Sequence, residues 1–266
     1  MNSISQILQK KRNNGTCALV PFLTAGYPSV NVTIKALFNL DLQGADVIEL
    51  GIPYSDALAD GPLIQQASKV ALQNHVYIDQ VLSILSDVES KLSAPIVIFT
   101  YYNPILVRGI DVFIKEISNL GVKGLIVPDL PIEETSYITY LCNQYSIELI
   151  LFIAPTSSRS RILDIADRSP GCVYLVSNTG VTGIRSHINT DIINISNYIK
   201  KNTKKFLMLG FGISSSSQVS SVSMWDIDGI VIGSAFTRIL ASGFSDSKII
   251  ENLGNFCSEM KNAIIY

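Results

Sequence analysis

Three carboxylates crowd one strand-to-loop junction. The run Asp46-Val47-Ile48-Glu49-Leu50-Gly51 carries Glu49 near its far end, and the following Ile52-Pro53-Tyr54-Ser55-Asp56-Ala57-Leu58-Ala59-Asp60-Gly61-Pro62 adds Asp56 and Asp60. A carboxylate set among Val, Ile and Leu is costly to bury as an ion, so its pKa rises or its charge is matched. A raised carboxyl pKa is what general acid–base catalysis near neutral pH requires. The other reading of Glu49 is a strand-end carboxylate bonded to a neighbouring loop, and residue type alone leaves both open. Asp60 precedes Gly61-Pro62, a cap and first-turn pattern, so it is either a turn residue or a second working acid. Asp56 beside Ser55 is either a solvated turn residue or a third.

Glycines gather after three later apolar runs. Cys172–Val176 leads into Ser177-Asn178-Thr179-Gly180-Val181-Thr182-Gly183, Phe206–Leu209 into Gly210-Phe211-Gly212-Ile213-Ser214, and Gly229–Ile232 into Gly233-Ser234-Ala235-Phe236. Glycine lets backbone approach a ligand closely, and main-chain N–H groups bind phosphate. Three such ends in succession imply a phosphomonoester held mainly by main-chain donors. Phe22, Tyr101 and Tyr174 lie in or just after apolar runs. They either line a pocket for a flat apolar group or fill the core. Trp225 lies away from these ends and reads as packing.

The elements that must position these groups follow from hydrophobic pattern. Eight apolar runs recur, at Cys17–Leu23, Val47–Leu50, Pro95–Thr100, Gly124–Val127, Glu148–Ile153, Cys172–Val176, Phe206–Leu209 and Gly229–Ile232. They are short and apolar on both faces, as buried parallel strands are. Between them Val30–Leu42, Asp79–Leu92, Asp111–Leu120, Glu133–Tyr145, Ser160–Ser169 and Thr190–Lys201 have helical spacing of apolar residues, as does Ser247–Ala263 at the end. Ser214–Ser217 reads as a loop and helix start. Eight strands alternating with helices predict an α/β fold, a (β/α)₈ TIM barrel over residues 1–266 as one domain, with a short extra N-terminal helix through Ile4, Ile7 and Leu8. The rival is a doubly wound open sheet, but Thr24-Ala25-Gly26-Tyr27-Pro28 lacks the glycine spacing of its first turn. In such a barrel the strand ends form the active face, which puts Glu49 and the three glycine loops together.

Bulk properties remove other classes. A net charge of −2 gives no nucleic-acid or anionic-membrane footprint, and 47% apolar content supplies a large core. No apolar run reaches the ~18 residues of a membrane helix. Met1–Arg12 has no apolar signal core, so a soluble protein acting where it is made is expected. Cys17, Cys142, Cys172 and Cys257 are far apart, and His75 and His187 stand alone, a pattern that fits core thiols and no metal site.

The segments Pro21–Pro28, Glu49–Asp56, Ala59–Gln65, Pro128–Pro131, Ala154–Thr156, Gly180–Gly183 and Gly210–Ser214 together resemble the tryptophan synthase alpha subunit family, in order, from about Pro21 to Gly233. The resemblance implies a carbon–carbon lyase that cleaves indole-3-glycerol phosphate to indole and glyceraldehyde 3-phosphate. It implies no cofactor in this chain, and a beta subunit carrying pyridoxal phosphate in an alpha2beta2 assembly, which receives the indole and joins it to serine. Carried over by position, Glu49 matches the acid/base, Asp60 the carboxylate at the indole N–H, and Tyr174 a tyrosine near the glycerol hydroxyls. Phe22, Ile64, Tyr101 and Phe211 match the indole pocket, and Gly183, Gly212, Gly233 and Ser234 the phosphate cradle. Thr182 matches a loop residue that meets the aspartate on closure, and Pro53 and Asp56 fall at the partner interface. Two departures stand out: Ala57 replaces the family's usual Pro, which loosens a loop that meets the partner, and Asn178 replaces an Arg frequent in bacterial members. A bacterial cytoplasm or a plastid stroma is the expected compartment. Among rivals, a synthase-type barrel needs a lysine on an early strand, and none occurs in the strand runs from Cys17 to Thr100. A non-catalytic phosphate sensor would not need both Glu49 and Asp60.

Overall fold

A computed structural model describes residues 3–176, 190–210 and 212–264. In chain order, α1 (Ser3–Asn13) and β1 (Ala18–Thr24) precede α2 (Val30–Leu42) and β2 (Ile48–Gly51), and α3 (Pro62–Gln73) and α4 (Ile78–Val88) lead to β3 (Ile96–Phe99). Next come α5 (Tyr102–Arg108), α6 (Ile110–Asn119), β4 (Gly124–Ile126), α7 (Thr135–Gln144), β5 (Glu148–Ile153), α8 (Arg159–Arg168) and β6 (Cys172–Val176). The chain continues through α9 (Thr190–Asn202), β7 (Phe206–Gly210), α10 (Ser216–Ser223), β8 (Gly229–Ile232), α11 (Ser234–Leu240) and α12 (Asp246–Asn262). The strands close in sequence order into one parallel barrel, β8 pairing back onto β1. The expected (β/α)₈ barrel is therefore the fold.

The period of two along each strand sorts the core into two layers. Val20, Phe22, Val47, Val97, Phe99, Ile126, Ile150, Tyr174 and Met208 pack together inside the barrel. Their neighbours Leu19, Leu23, Ile48, Leu50, Ile98, Leu125 and Leu149 pack outward beneath the helices. Glu49 shares a face with Val47 and pairs in register with Phe22 and Val97. This phase turns a carboxyl into the barrel.

The basic N-terminal segment has a structural task. Ile4 and Leu8 of α1 are fully buried in the inner core, so the helix stops the bottom of the barrel. Acids at strand starts hold it: Glu148 accepts from the Ser5 hydroxyl at 2.6 Å and from its N–H at 3.1 Å. Lys11 pairs with Asp46 at 2.7 Å and Arg12 with Asp228 at 2.7 Å.

Element ends depart from expectation where single residues decide them. The helix expected over Asp79–Leu92 stops at Val88, because Glu89 turns extended and Ser90 adopts φ 59°. The segment expected from Glu133 begins as a 3₁₀ turn at Ile132–Glu134 before α7. The helices α5, α10 and α11 were too short for periodicity to reveal in full. Among the described residues, no helix is long and apolar enough to cross a membrane.

Candidate active site

Glu49 is the second residue of β2, 2% exposed, and its Oε2 has no hydrogen-bond partner among the described residues. The loop-bonded alternative is not what the structure shows for this oxygen. Burial, followed by the nearby charge of Asp60, pushes the Glu49 pKa up to about 8. At neutral pH the group holds its proton.

Asp60 lies in the loop between β2 and α3 and is 4% exposed. It is not the helix cap: Gly61 takes that position and Pro62 starts α3, as the missing Pro N–H favours. The Tyr101 hydroxyl donates to Asp60 Oδ2 at 3.0 Å. Burial raises the Asp60 pKa to about 7, and this hydrogen bond opposes the rise. The loop is fastened from α3, where the Gln65 side-chain amide donates to the Ala57 and Asp60 carbonyls at 3.1 and 2.9 Å. Ala57 is buried despite standing where the family usually has Pro. Asp56 is exposed and accepts from the Ser55 hydroxyl at 2.9 Å, whereas Pro53 is buried at the root of the loop.

A narrow cavity at the strand ends joins these groups. Glu49, Asp60 and Tyr174 line it with the apolar side chains of Phe22, Ile64, Phe99 and Val231, and Gly212, Gly233 and Ser234 close another part of its wall. Two glycines make room for aromatic rings. A Cβ on Gly51 would lie 2.7 Å from Phe22 Cζ, and one on Gly210 would lie 1.9 Å from the Tyr174 hydroxyl oxygen. Gly212 has φ 90°, which only glycine adopts without strain.

Sequence reasoning missed Phe99 and Phe152. Phe99 meets Phe22 edge-on at 5.7 Å, and Phe152 lies 4.6 Å from Tyr174. The signal was present for Phe99, since Val97, Phe99 and Tyr101 share one strand face. Of the residues expected around the indole, Phe22 and Ile64 line the cavity, and Tyr101 stands behind Asp60 with Phe99 at the wall in its place. Phe211, Thr182 and Gly183 lie outside the described residues. The four cysteines are buried free thiols, and burial pushes Cys17, Cys142 and Cys257 up to about 12. No group of three or more metal-ligating side chains occurs among the described residues.

The arrangement is a proton-holding carboxyl, a second carboxyl held by a phenol, an apolar slot and a glycine-rich wall. A family model described as "Tryptophan synthase alpha chain" matches residues 8–265. The chain belongs to the tryptophan synthase alpha chain family. Tryptophan synthase alpha chains from Gracilaria tenuistipitata var. liui and Antithamnion sp. are 58% and 56% identical, over 99% and 100% of this chain and 97% and 100% of their own lengths. A tryptophan synthase structure from Mycobacterium tuberculosis superposes with a TM-score of 0.91 at 29% identity, covering 99% of this chain and 98% of that one. A chain of the Pyrococcus furiosus tryptophan synthase complex gives 0.84 at 32% identity, covering 93% of this chain and 98% of its own. The activity of tryptophan synthase alpha chains, cleavage of indole-3-glycerol phosphate, is thus the activity of this one.

Proposed function

We propose that Glu49 and Asp60 divide the lyase chemistry between them. Glu49 donates its proton to indole C3, which places positive charge on the ring nitrogen. Asp60, as the anion, stabilises that charge at the N–H. Glu49, now a carboxylate, takes the proton of the glycerol hydroxyl next to the ring. The carbon–carbon bond breaks, its electron pair returns to the ring and neutralises the nitrogen, and a carbonyl forms on the departing glyceraldehyde 3-phosphate. One proton has moved from hydroxyl to C3, and Glu49 is restored. The observation that carries this reading is the unpartnered, buried Glu49 oxygen aimed into the cavity Asp60 also lines.

Tyr174 orients the glycerol hydroxyls, and Phe22, Ile64 and Phe211 form the ring's surroundings, with Tyr101 set behind Asp60. Gly183, Gly212, Gly233 and Ser234 hold the phosphate through main-chain N–H groups, and Thr182 serves the Asp60 carboxylate. No cofactor enters these steps. The partner is a beta subunit carrying pyridoxal phosphate, in an alpha2beta2 assembly that takes the indole directly. Asp56 contacts that partner, with Pro53 setting the loop behind it. Residues 1–266 form a single domain. Relatives in red algae and cyanobacteria support a plastid stroma or a bacterial cytoplasm as the compartment.

Glu49→Gln tests the division of labour. Indole release should fall at least about a thousandfold, as loss of a general acid–base group and its transition-state contacts does, while substrate affinity stays within a few-fold. Turnover near that of the wild type in this variant would remove Glu49 from the chemistry.

A further inference from the structure

Just beyond β3, Tyr101 meets the loop after β2 twice through one oxygen. Its hydroxyl donates to Asp60 Oδ2 at 3.0 Å and accepts the Ala59 N–H at 3.1 Å. The residue is 2% exposed. Tyr54, from the start of the same loop, stacks on its ring at 5.1 Å and 29°, and Phe99 meets the ring edge-on at 6.0 Å. A ring packed on both sides, with a hydroxyl engaged as donor and acceptor, has one orientation available. Tyr101 is absent from the cavity wall that Asp60 lines, so its hydroxyl reaches the substrate site only through that carboxylate.

We propose that Tyr101 is a positioning residue for the lyase reaction, its hydroxyl holding the Asp60 carboxylate in place and in its charged form. The proposal rests on the role assigned to Asp60 above. A hydrogen bond donated to a carboxylate favours the ionised form, and it also fixes which oxygen is turned toward the ligand. Burial works against the charge of Asp60. Glu49 faces it from β2 and Tyr174 from β6, and Asp129, after β4, faces Tyr101. Burial raises Asp60, and the Tyr101 hydroxyl is the one group among the described residues that lowers it. The Ala59 N–H completes the device: by donating to the phenol oxygen it makes the hydroxyl a stronger donor to Asp60. The three rings and the loop backbone thus set one carboxylate.

Tyr101→Phe is the test, because it keeps the ring, its stacking and its burial. Removing a hydrogen bond to a charged group should lower kcat about ten- to hundredfold. KM should change less than about threefold, since the hydroxyl does not touch substrate. The acid limb of the kcat–pH profile should move up by about one pH unit, because Asp60 then protonates more readily. A merely structural role would lower kcat and leave the limb where it is, and that result overturns the proposal, as does an unchanged kcat. If Tyr101→Phe does not fold, 3-fluorotyrosine at position 101 preserves shape and makes a stronger donor. The limb should then move down, and an unmoved limb again overturns the proposal. Asp60→Asn separates this from the underlying reading. If Asp60→Asn keeps wild-type turnover, the role of Asp60 itself fails. If it collapses turnover and Tyr101→Phe changes neither kcat nor the limb, the Tyr101 proposal alone fails.

Discussion

Glu49 and Asp60 are both buried carboxyls, but Asp60 Oδ2 accepts the Tyr101 hydroxyl whereas Glu49 Oε2 has no partner among the described residues. Burial raises both, Glu49 to about 8 with the charge of Asp60 adding to the rise, and Asp60 to about 7 with the Tyr101 hydroxyl opposing it. Where two coupled carboxyls differ in this way, one carries the proton while the other carries the charge. The Glu49 proton also has a cost in stability with a definite sign. The ordinary value of such a group is 4.5, so between about that pH and 8 the folded protein holds a proton the unfolded chain has released. The unfolded state is then favoured progressively as pH rises. Denaturant titration of wild type and Glu49→Gln should show a stability gap that grows in favour of the variant from pH 5 to pH 7.5, by at most about 3 kcal/mol. A constant gap across that range would mean Glu49 titrates alike in both states. In the sequence, Glu49 was recognisable as an awkward acid because its neighbours are Val, Ile and Leu. Asp60 was not distinguishable from a turn residue, since its defining partner, Tyr101, lies on another strand end.

At the scale of elements, the barrel acts as a register device. In-register pairing of β1, β2 and β3 sets Phe22, Glu49 and Val97 side by side facing inward. Gly51 and Gly210 then leave the space into which Phe22 and Tyr174 turn. The strands were legible because short runs apolar on both faces, bounded by polar segments, suffice to mark them, and β5, β6 and β8 fall where the apolar runs begin and end. The short α5 and α10 were not, because their stability comes from packing on the barrel rather than from their own pattern. The role of α1 was half legible: its apolar spacing shows a helix, but only the structure shows the acids that hold it. Ser5→Ala removes the shorter of the two bonds that Ser5 makes to the fully buried Glu148, leaving the backbone N–H groups of Ser5 and Cys172 to hold the carboxylate. It should cost about 1–3 kcal/mol in chemical denaturation, with kcat within about twofold, because the helix lies at the end of the barrel opposite the site. A loss below about 0.3 kcal/mol would show that the Ser5 hydroxyl does not help to hold α1.

At the scale of the whole molecule, the face that bears the cavity also bears apolar residues in the open. Leu58, on the loop that carries Asp60, is 84% exposed, and Val107 on α5 is 81% exposed. Both follow strand ends, so a partner seated there would lie over the mouth of the site. The loop that carries Asp60 would then be a part of the interface, and docking would bear on the Asp60 carboxylate through Ala59 and Gln65. Addition of a tryptophan synthase beta subunit should therefore raise the lyase rate. Leu58→Asp should weaken the complex at least about tenfold in sedimentation, as a charge buried at an interface does, and leave the rate of the isolated chain unchanged. If no complex forms with the unsubstituted chain, the partner assignment fails.

The most direct test of the account is the protonation of Glu49 itself. Infrared difference spectra between the wild type and Glu49→Gln, recorded across pH, isolate its carboxyl stretch. The account predicts a protonated carboxyl band at pH 7 that disappears with a midpoint near 8. A band already lost by pH 5 would show an ordinary ionised glutamate, and would contradict the claim that this buried carboxyl of β2 is the proton donor of the reaction.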